Sequence, residues 1–150
     1  MGWKFSDSEI IEAMANVSTL TKMIGRWQTI NKNPLTITDA AHNEDGIRQV
    51  VQQLATMKYN YLHIVLGMAK DKDQSKILQL LPKNALYYFC KPDVPRGLKA
   101  NLLAEKAAEF GLKGEVYDSV NEALRSATGD ATDEDLIFVG GSSFVVAEVV

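Results

Sequence analysis

An acid, a histidine and an amide follow one short apolar segment of the chain. Residues 35–38 are Leu, Thr, Ile and Thr, and Asp39, His42 and Asn43 come soon after them. A carboxylate at the end of a strand can accept hydrogen bonds from ribose hydroxyls, and a histidine can exchange a proton near neutral pH. Because Asp and Asn also cap helices, the stretch predicts either a binding site or a capped turn, depending on the elements that flank it.

Short apolar segments alternate with segments of helical periodicity from residue 35 onward. The predicted strands span residues 35–38, 61–66, 85–90, 114–118 and 135–140. The predicted helices span residues 43–57, 73–82, 97–111 and 119–128. This alternation indicates βα units, and several strands without polar alternation indicate a sheet covered on both faces. We therefore predict an α/β, Rossmann-like doubly wound fold with a mainly parallel sheet of five to six strands flanked by helices.

The two ends of the chain predict further elements. Ser6 and Glu9 have the spacing of a capping box and predict a helix over residues 6–24. Residues 26–30 predict a short strand before the turn at Asn33 and Pro34. Residues 142–150 predict a last helix or strand.

The composition indicates a single domain over residues 1–150. The chain is 46% hydrophobic and 23% charged, with a net charge of -3, which is enough apolar material for one core. We expect neither nucleic acid, which favours a basic surface, nor a membrane as a partner, since no stretch approaches the ~20 apolar residues of a membrane span. The single cysteine, Cys90, lies in an apolar run, which predicts a small buried side chain and fits a cytoplasmic protein.

Polar residues follow each predicted strand. In an open parallel sheet, ligands bind at the carboxyl ends of the strands, so the loops at these ends are the candidate site. They span residues 39–43, 67–73, 91–93, 118–119 and 140–143. We expect them to line one edge of the sheet with acids, lysines, glycines and hydroxyls, although each loop alone is also explained as a solvated turn or a helix cap.

Several motifs of catalytic sites are missing from this sequence. It contains no G-x-x-x-x-G-K-[ST] phosphate loop, no G-x-G-x-x-G dinucleotide motif and no G-x-S-x-G nucleophile elbow. Its two histidines, His42 and His63, have no matching cluster of ligands for a catalytic zinc ion. We therefore predict that this chain holds no metal site of its own.

Four motifs occur in a fixed order: GRWQ at residues 25–28, DAAHN at 39–43, GMAKDKD at 67–73 and GGSSFVVAEV at 140–149. Together they resemble the C-terminal domain of the folylpolyglutamate synthase/dihydrofolate synthase family, a branch of the Mur ligase superfamily. The first three family patterns are G-R-x-[EQ], D-G-A-H-N and G-x-x-x-D-K-D. The fourth consists of small residues and a serine, followed by F/Y-V-x-x-E. The resemblance covers the chain from about residue 10 onward, with Ala40 in place of the family's usual glycine.

The resemblance implies an ATP-dependent ligase. In such an enzyme ATP phosphorylates a carboxylate, the amine of L-glutamate attacks the acyl phosphate, and an amide forms. The implied cofactors are ATP and Mg²⁺, with the phosphate loop and most magnesium ligands in a larger N-terminal ATPase domain that is absent from this chain. The implied partners are that ATPase domain, L-glutamate and a folate or dihydropteroate substrate. This chain alone is therefore expected to be inactive.

The resemblance also implies a role for each matching residue. Arg26 would reach ATP, Asp39 would hold the ribose, and Asn43 would complete this nucleotide-binding group. His42 would be the catalytic residue, placed near the incoming glutamate or the acyl phosphate. The remaining substrate-binding positions would be Ser142 and Ser143, which handle glutamate, and the cleft-facing loop residues Asp71, Lys72 and Asp73.

Three other interpretations are compatible with the sequence. A related Mur-type ligase that joins a different amino acid would carry similar motifs, although the His-Asn pair after DAA and the DKD loop favour the folate branch. A standalone, non-catalytic binding module would keep the fold and bind its ligand without a second domain. A receiver-type or flavodoxin-like domain would share the fold, but a receiver needs paired acids after its first strand, where this chain offers only Asp39.

Overall fold

The computed structural model of the protein describes residues 6–16, 24–71 and 73–150. The strands in these ranges are β1 (Gln28–Lys32), β2 (Leu35–Asp39), β3 (Leu62–Leu66), β4 (Leu86–Phe89), β5 (Gly114–Val116) and β6 (Leu136–Gly140). The helices are α1 (Asp7–Ala15), α2 (Glu44–Thr56), α3 (Gln74–Leu78), α4 (Ala100–Ala108), α5 (Val120–Asp130) and α6 (Ser143–Ala147). None of these described helices is long and apolar enough to cross a membrane.

The six strands form one sheet in the order β1-β2-β6-β3-β4-β5. β1 is antiparallel to β2, and every other pair of neighbours is parallel. β6, the last strand along the chain, lies between β2 and β3, so that Gly140 pairs with Asp39 on one side and with Leu66 on the other. The predicted α/β fold with a mainly parallel sheet of five to six strands is confirmed.

The two faces of the sheet are covered by different helices. Within β6, Leu136 and Phe138 pack in the apolar cluster that contains side chains of α2, α3 and α4. Ile137 and Val139 pack in the cluster on the other face, with side chains of α5 and α6. Every residue of β3 and β6 is buried. A strand covered on both faces needs apolar residues at consecutive positions, which explains why β6 is apolar throughout and why His63 is the one polar residue of β3.

Several elements have bounds that differ from the prediction. The helix predicted over residues 97–111 begins only at Ala100, because Gly97 pairs with Ala69 in an isolated antiparallel bridge. The helix predicted over residues 73–82 runs from Gln74 to Leu78. Residues 143–147 form the helix α6 and not a strand.

The structure describes only part of the first predicted helix, and α1 runs from Asp7 to Ala15 there. α1 begins with the predicted capping box, in which the Ser6 side chain accepts from the Glu9 N–H and the Glu9 side chain accepts from the Ser6 N–H. α1 buries none of its residues, and Ile10 and Met14 are exposed. The rest of the predicted helix includes residues 17–23, which lie outside the described residues.

Asp135 is a buried carboxylate immediately before β6. Its Oδ2 accepts hydrogen bonds from the backbone N–H (2.7 Å) and the hydroxyl (3.0 Å) of Thr132, and its Oδ1 accepts one from the N–H of Tyr61 (2.9 Å). Chiefly because of the Thr132 N–H, the pKa of Asp135 lies below its ordinary value. The carboxylate therefore joins the amino ends of β6 and β3.

We expect Asp135→Asn to lower the free energy of unfolding at pH 7 by about 2 kcal/mol, because an amide cannot accept all three hydrogen bonds. A carboxyl whose pKa falls on folding stabilises the folded state above its unfolded pKa, and this stability is lost as the pH falls through the folded pKa. The difference from wild type should therefore shrink below about pH 4. Urea unfolding at pH 7 and pH 3 measures it, with the exposed Asp133→Asn as control. An equal difference at both pH values would contradict the prediction.

Candidate functional site

The carboxyl ends of β2, β6 and β3 approach closely at two glycines. A Cβ at Gly140 would lie 2.8 Å from the carbonyl oxygen of Asp39, and a Cβ at Gly141 would lie 2.6 Å from that of Gly67. Gly141 also has φ +95°, which favours glycine. Gly140, the last residue of β6, and Gly141, which follows it, therefore allow the carboxyl ends of these three strands and their loops to meet.

Asp39 joins the end of β2 to the turn that precedes β1. Its Oδ2 accepts from the backbone N–H of Trp27 and its Oδ1 from that of Ala41, both at 2.8 Å. The residue is only 8% exposed. Trp27 has φ +43°, a left-handed conformation that costs a residue with a side chain about 1–2 kcal/mol. The Asp39 carboxylate therefore holds this turn in an otherwise unfavourable conformation.

Arg26 lies in the same turn and has an exposed side chain. The Ala40 N–H donates to the Gly25 carbonyl oxygen at 2.7 Å, so the turn lies directly against the end of β2. The structure therefore places Arg26 and Asp39 in one group at the carboxyl end of β2. This group is beside the two pockets described below and does not line them.

His42 is half-buried, and its Nδ1 lies 3.0 Å from the carbonyl oxygen of Ala40. Since a carbonyl oxygen only accepts, Nδ1 carries the proton in this hydrogen bond. In the neutral ring Nε2 is then the acceptor. The backbone of the DAAHN turn thus fixes the orientation of the imidazole ring.

Asn43 begins α2. Its Oδ1 accepts a hydrogen bond from the Gly46 N–H at 2.8 Å, which is the geometry of a helix cap. The capping explanation of this residue, which the sequence left open, is therefore correct for its carbonyl oxygen. The same bond fixes the direction in which the chain leaves His42.

A first pocket of about 170 Å³ opens between the loops after β2, β3, β4 and β6, and we call it the serine pocket. It is lined by His42, Ala69, Arg96, Gly141, Ser142, Ser143 and Phe144. Ser142 is buried and caps α6 by accepting from the Phe144 N–H at 3.1 Å, whereas Ser143 is exposed. The predicted residues His42, Ser142 and Ser143 therefore lie together.

Arg96 is the residue of the serine pocket that the sequence reasoning missed. It forms an ion pair with Asp71 at the surface, and its guanidinium lies 5.9 Å from the centre of the Phe144 ring. The candidate loop predicted after β4 ended at Asp93, three residues before Arg96. The sequence feature that could have indicated Arg96 is its position between Pro95 and Gly97, in a loop that follows a predicted strand.

A second pocket of about 180 Å³ lies on the other side of His42, and we call it the lysine pocket. It is lined by His42, Asn43, Glu44, Asp73, Lys76 and Ile77. Asp73 precedes α3 but makes no side-chain cap there. The three residues of the predicted cleft loop therefore have different positions. Asp71 is paired with Arg96, which lines the serine pocket, and Asp73 lines the lysine pocket. Lys72 lies outside the described residues.

Cys90 lies at the same edge of the sheet but is not an available nucleophile. It is fully buried, as the sequence predicts, and burial raises the pKa of its thiol to about 12. Its N–H donates to the carbonyl oxygen of Leu66 at 2.9 Å. The residue therefore packs beneath the site, and its thiol takes no part in it.

Several known proteins are similar to this chain in sequence and fold. Residues 25–143 match the family model of the Mur ligase, glutamate ligase domain. A probable bifunctional folylpolyglutamate synthase/dihydropteroate synthase of Haloferax volcanii is 34% identical over 125 residues, which are 83% of this chain and 15% of that protein. The structure of Escherichia coli FolC in complex with DHPP and ADP has a TM-score of 0.84 at 31% identity, over 99% of this chain and 34% of that chain. A bifunctional folylpolyglutamate synthase/dihydrofolate synthase with Mn, AMPPNP and L-glutamate bound has a TM-score of 0.84 at 32% identity, over 98% of this chain and 34% of that chain.

A mainly parallel sheet that is covered on both faces and carries polar loops at its carboxyl edge defines an α/β domain of the class that binds ligands at this edge. The chain belongs to the Mur ligase family of glutamate ligase domains. The resemblance drawn from the four sequence motifs is thereby confirmed. The chain spans about a third of the length of FolC from Escherichia coli, so the matched proteins contain a larger part that this chain does not cover.

Proposed function

We propose that this domain is the C-terminal lobe of an ATP-dependent ligase that joins L-glutamate to a folate or dihydropteroate substrate. The observation that carries the proposal is the serine pocket, which brings His42, Arg96, Ser142 and Ser143 together. A guanidinium suits a carboxylate, and an imidazole acceptor suits an amine that must lose a proton before it attacks. A relative with AMPPNP and L-glutamate bound supports the same assignment.

In this proposal Arg26, Asp39 and Asn43 bind the nucleotide. Each Asp39 oxygen uses one lone pair for a backbone N–H, and its second lone pair can accept a ribose hydroxyl. The exposed Arg26 can donate to a phosphate. Because the Asn43 carbonyl oxygen caps α2, its amide NH₂ is the group that faces a ligand.

Glutamate occupies the serine pocket in this proposal. Arg96 and Asp71 are both exposed, and exposed ion pairs contribute at most about 1 kcal/mol, so a substrate carboxylate can replace Asp71 at little cost. Ser143 donates a second hydrogen bond from the rim, and Ser142 holds the turn beneath it. Nε2 of His42 takes a proton from the glutamate ammonium, which leaves a neutral amine to attack the activated carboxylate.

The proposed activity requires a second domain. Since this chain contains no phosphate loop, we place that loop and most Mg²⁺ ligands in an N-terminal ATPase domain. Asp71, Lys72 and Asp73 would face the cleft between the two domains and contact the substrate. A lone buried cysteine and the use of ATP favour the cytoplasm as the location.

Replacing the matching segment of Escherichia coli FolC with this chain tests the proposed function. We expect the chimera to add labelled glutamate to a folate substrate when ATP is present, because the two parts together complete the site. Diaminopimelate in place of glutamate tests the alternative of another Mur-type ligase. A folded chimera that binds ATP but forms no amide with glutamate would overturn the proposal.

The 150-residue chain alone is the control for this experiment. We expect it to be inactive and to bind ATP with a Kd of about 1 mM or weaker, because two or three charge-assisted hydrogen bonds of ~1.5–3 kcal/mol each are largely offset by the cost of association. Calorimetric titration with ATP measures this affinity. Micromolar binding would instead favour a standalone binding module.

A further inference from the structure

Gln74 is a buried amide at the first position of α3. Only 4% of the residue is exposed, although glutamine is mostly exposed in proteins. Its Nε2 donates to the carbonyl oxygens of Ala69 (2.9 Å) and Lys70 (3.4 Å), and its Oε1 accepts from Nζ of Lys106 in α4 (2.8 Å). Because Lys106 only donates and the carbonyl oxygens only accept, the three contacts fix the orientation of the amide.

The carbonyl groups that Gln74 contacts belong to the loop after β3, and this loop is joined to the loop that carries Arg96. Ala69 pairs with Gly97 in the antiparallel bridge. The Lys70 N–H donates to the carbonyl oxygen of Arg96 at 2.8 Å. Ala69 and Arg96 both line the serine pocket. A chain of hydrogen bonds therefore runs from α4 through Gln74 to the wall of the pocket.

A buried amide is tolerated only when its polar atoms are hydrogen-bonded. Gln74 satisfies this condition through two elements that are separate in sequence, the loop after β3 and helix α4. Its carbonyl oxygen receives a charged donor, and hydrogen bonds to charged groups are stronger than those between neutral groups. Lys106 therefore holds Gln74 against the loop.

We propose that Gln74, braced by Lys106, is a positioning residue for Arg96. By holding the carbonyl groups of Ala69 and Lys70, it fixes the bridge that sets where the Arg96 guanidinium meets a carboxylate in the serine pocket. The identity of that carboxylate as glutamate rests on the proposed function. The hydrogen bonds of Gln74 to Lys106 and to the loop after β3, which we call the brace, do not depend on that function. They can be tested without a substrate.

Amide hydrogen exchange in the 150-residue chain, followed by NMR, tests the brace. Two N–H groups cross between the loops, those of Lys70 and Leu98, the latter donating to Met68. We expect Gln74→Leu to speed their exchange about tenfold, because the loop opens locally more often. Gln79→Leu is the matched control, since Gln79 is exposed at the other end of α3. Equal exchange rates in the two variants would overturn the proposal.

Two further variants separate the halves of the brace. Gln74→Glu keeps a partner for Lys106 but turns the donor that faces Ala69 into an acceptor, so we expect exchange as fast as in Gln74→Leu. Lys106→Met acts at the exposed side, and we expect a smaller increase of about threefold. Wild-type exchange in Lys106→Met would overturn the role of the lysine and, if Gln74→Leu does not fold, the whole proposal.

Steady-state kinetics of the chimera measure the KM for glutamate, which a general loss of stability does not change selectively. We expect Gln74→Leu to raise the KM for glutamate about tenfold, with kcat and the KM for ATP within about twofold of wild type. Faster exchange with an unchanged glutamate KM would support the brace and overturn the assignment of Arg96 to glutamate. Unchanged exchange with a raised KM would overturn the brace.

Discussion

Asp39→Ala is expected to lower the free energy of unfolding by about 3 kcal/mol, because it removes the acceptor of one buried and one partly buried N–H group, and hydrogen bonds to charged groups contribute ~1.5–3 kcal/mol each. One of these groups belongs to Trp27, whose left-handed backbone conformation then lacks the bond that holds it. The turn that carries Arg26 should relax toward ordinary backbone angles. Urea unfolding of the 150-residue chain measures the loss.

The same substitution is expected to raise the KM for ATP of the chimera at least about tenfold, since it removes a ribose acceptor and displaces Arg26 together. Asp45→Ala is the matched control, because it removes the same charge from an exposed position in the first turn of α2. Two results would contradict the prediction together: free energies of unfolding of the two variants within about 0.5 kcal/mol of each other, and a wild-type KM for ATP in Asp39→Ala. If both results are found, the structural role and the nucleotide-binding role of Asp39 are both wrong.

His42→Ala is expected to lower kcat of the chimera about 100-fold, the lower end of what a positioned general base contributes. The hydrogen bond from Nδ1 to the Ala40 carbonyl directs Nε2 as the proton acceptor, and alanine offers no substitute. The KM for ATP should change little, because Arg26 and Asp39 hold the nucleotide in our proposal. Initial rates at saturating ATP and varied glutamate measure the effect.

Arg96→Ala is the comparison that separates binding from proton transfer. A lost carboxylate contact should raise the KM for glutamate about tenfold or more and leave kcat closer to wild type than His42→Ala does. The opposite pattern, with turnover lost in Arg96→Ala and glutamate binding lost in His42→Ala, would exchange the two roles. Wild-type kinetics in both variants would remove the serine pocket from the active site.

Much of the fold follows from patterns within single elements. β6 is apolar throughout and β3 is interrupted only by His63, which is close to what a strand covered on both faces requires. The helix start at Ser6 shows the predicted capping box, because such a box joins residues only three positions apart. The burial of Cys90 is predictable for the same reason, since its neighbours in sequence are also core residues.

The sequence by itself also determined the family, through four motifs whose order and spacing are visible without a structure, and it selected Asp39, His42, Ser142 and Ser143. Only the tertiary structure decided that the Trp27 N–H binds Asp39, that Gln74 is buried, and that Arg96 enters the serine pocket. Helical and strand periods report contacts within one element or with a face of the core. Contacts between loops depend on which strands are neighbours, and the insertion of β6 between β2 and β3 is set by the packing of the whole sheet.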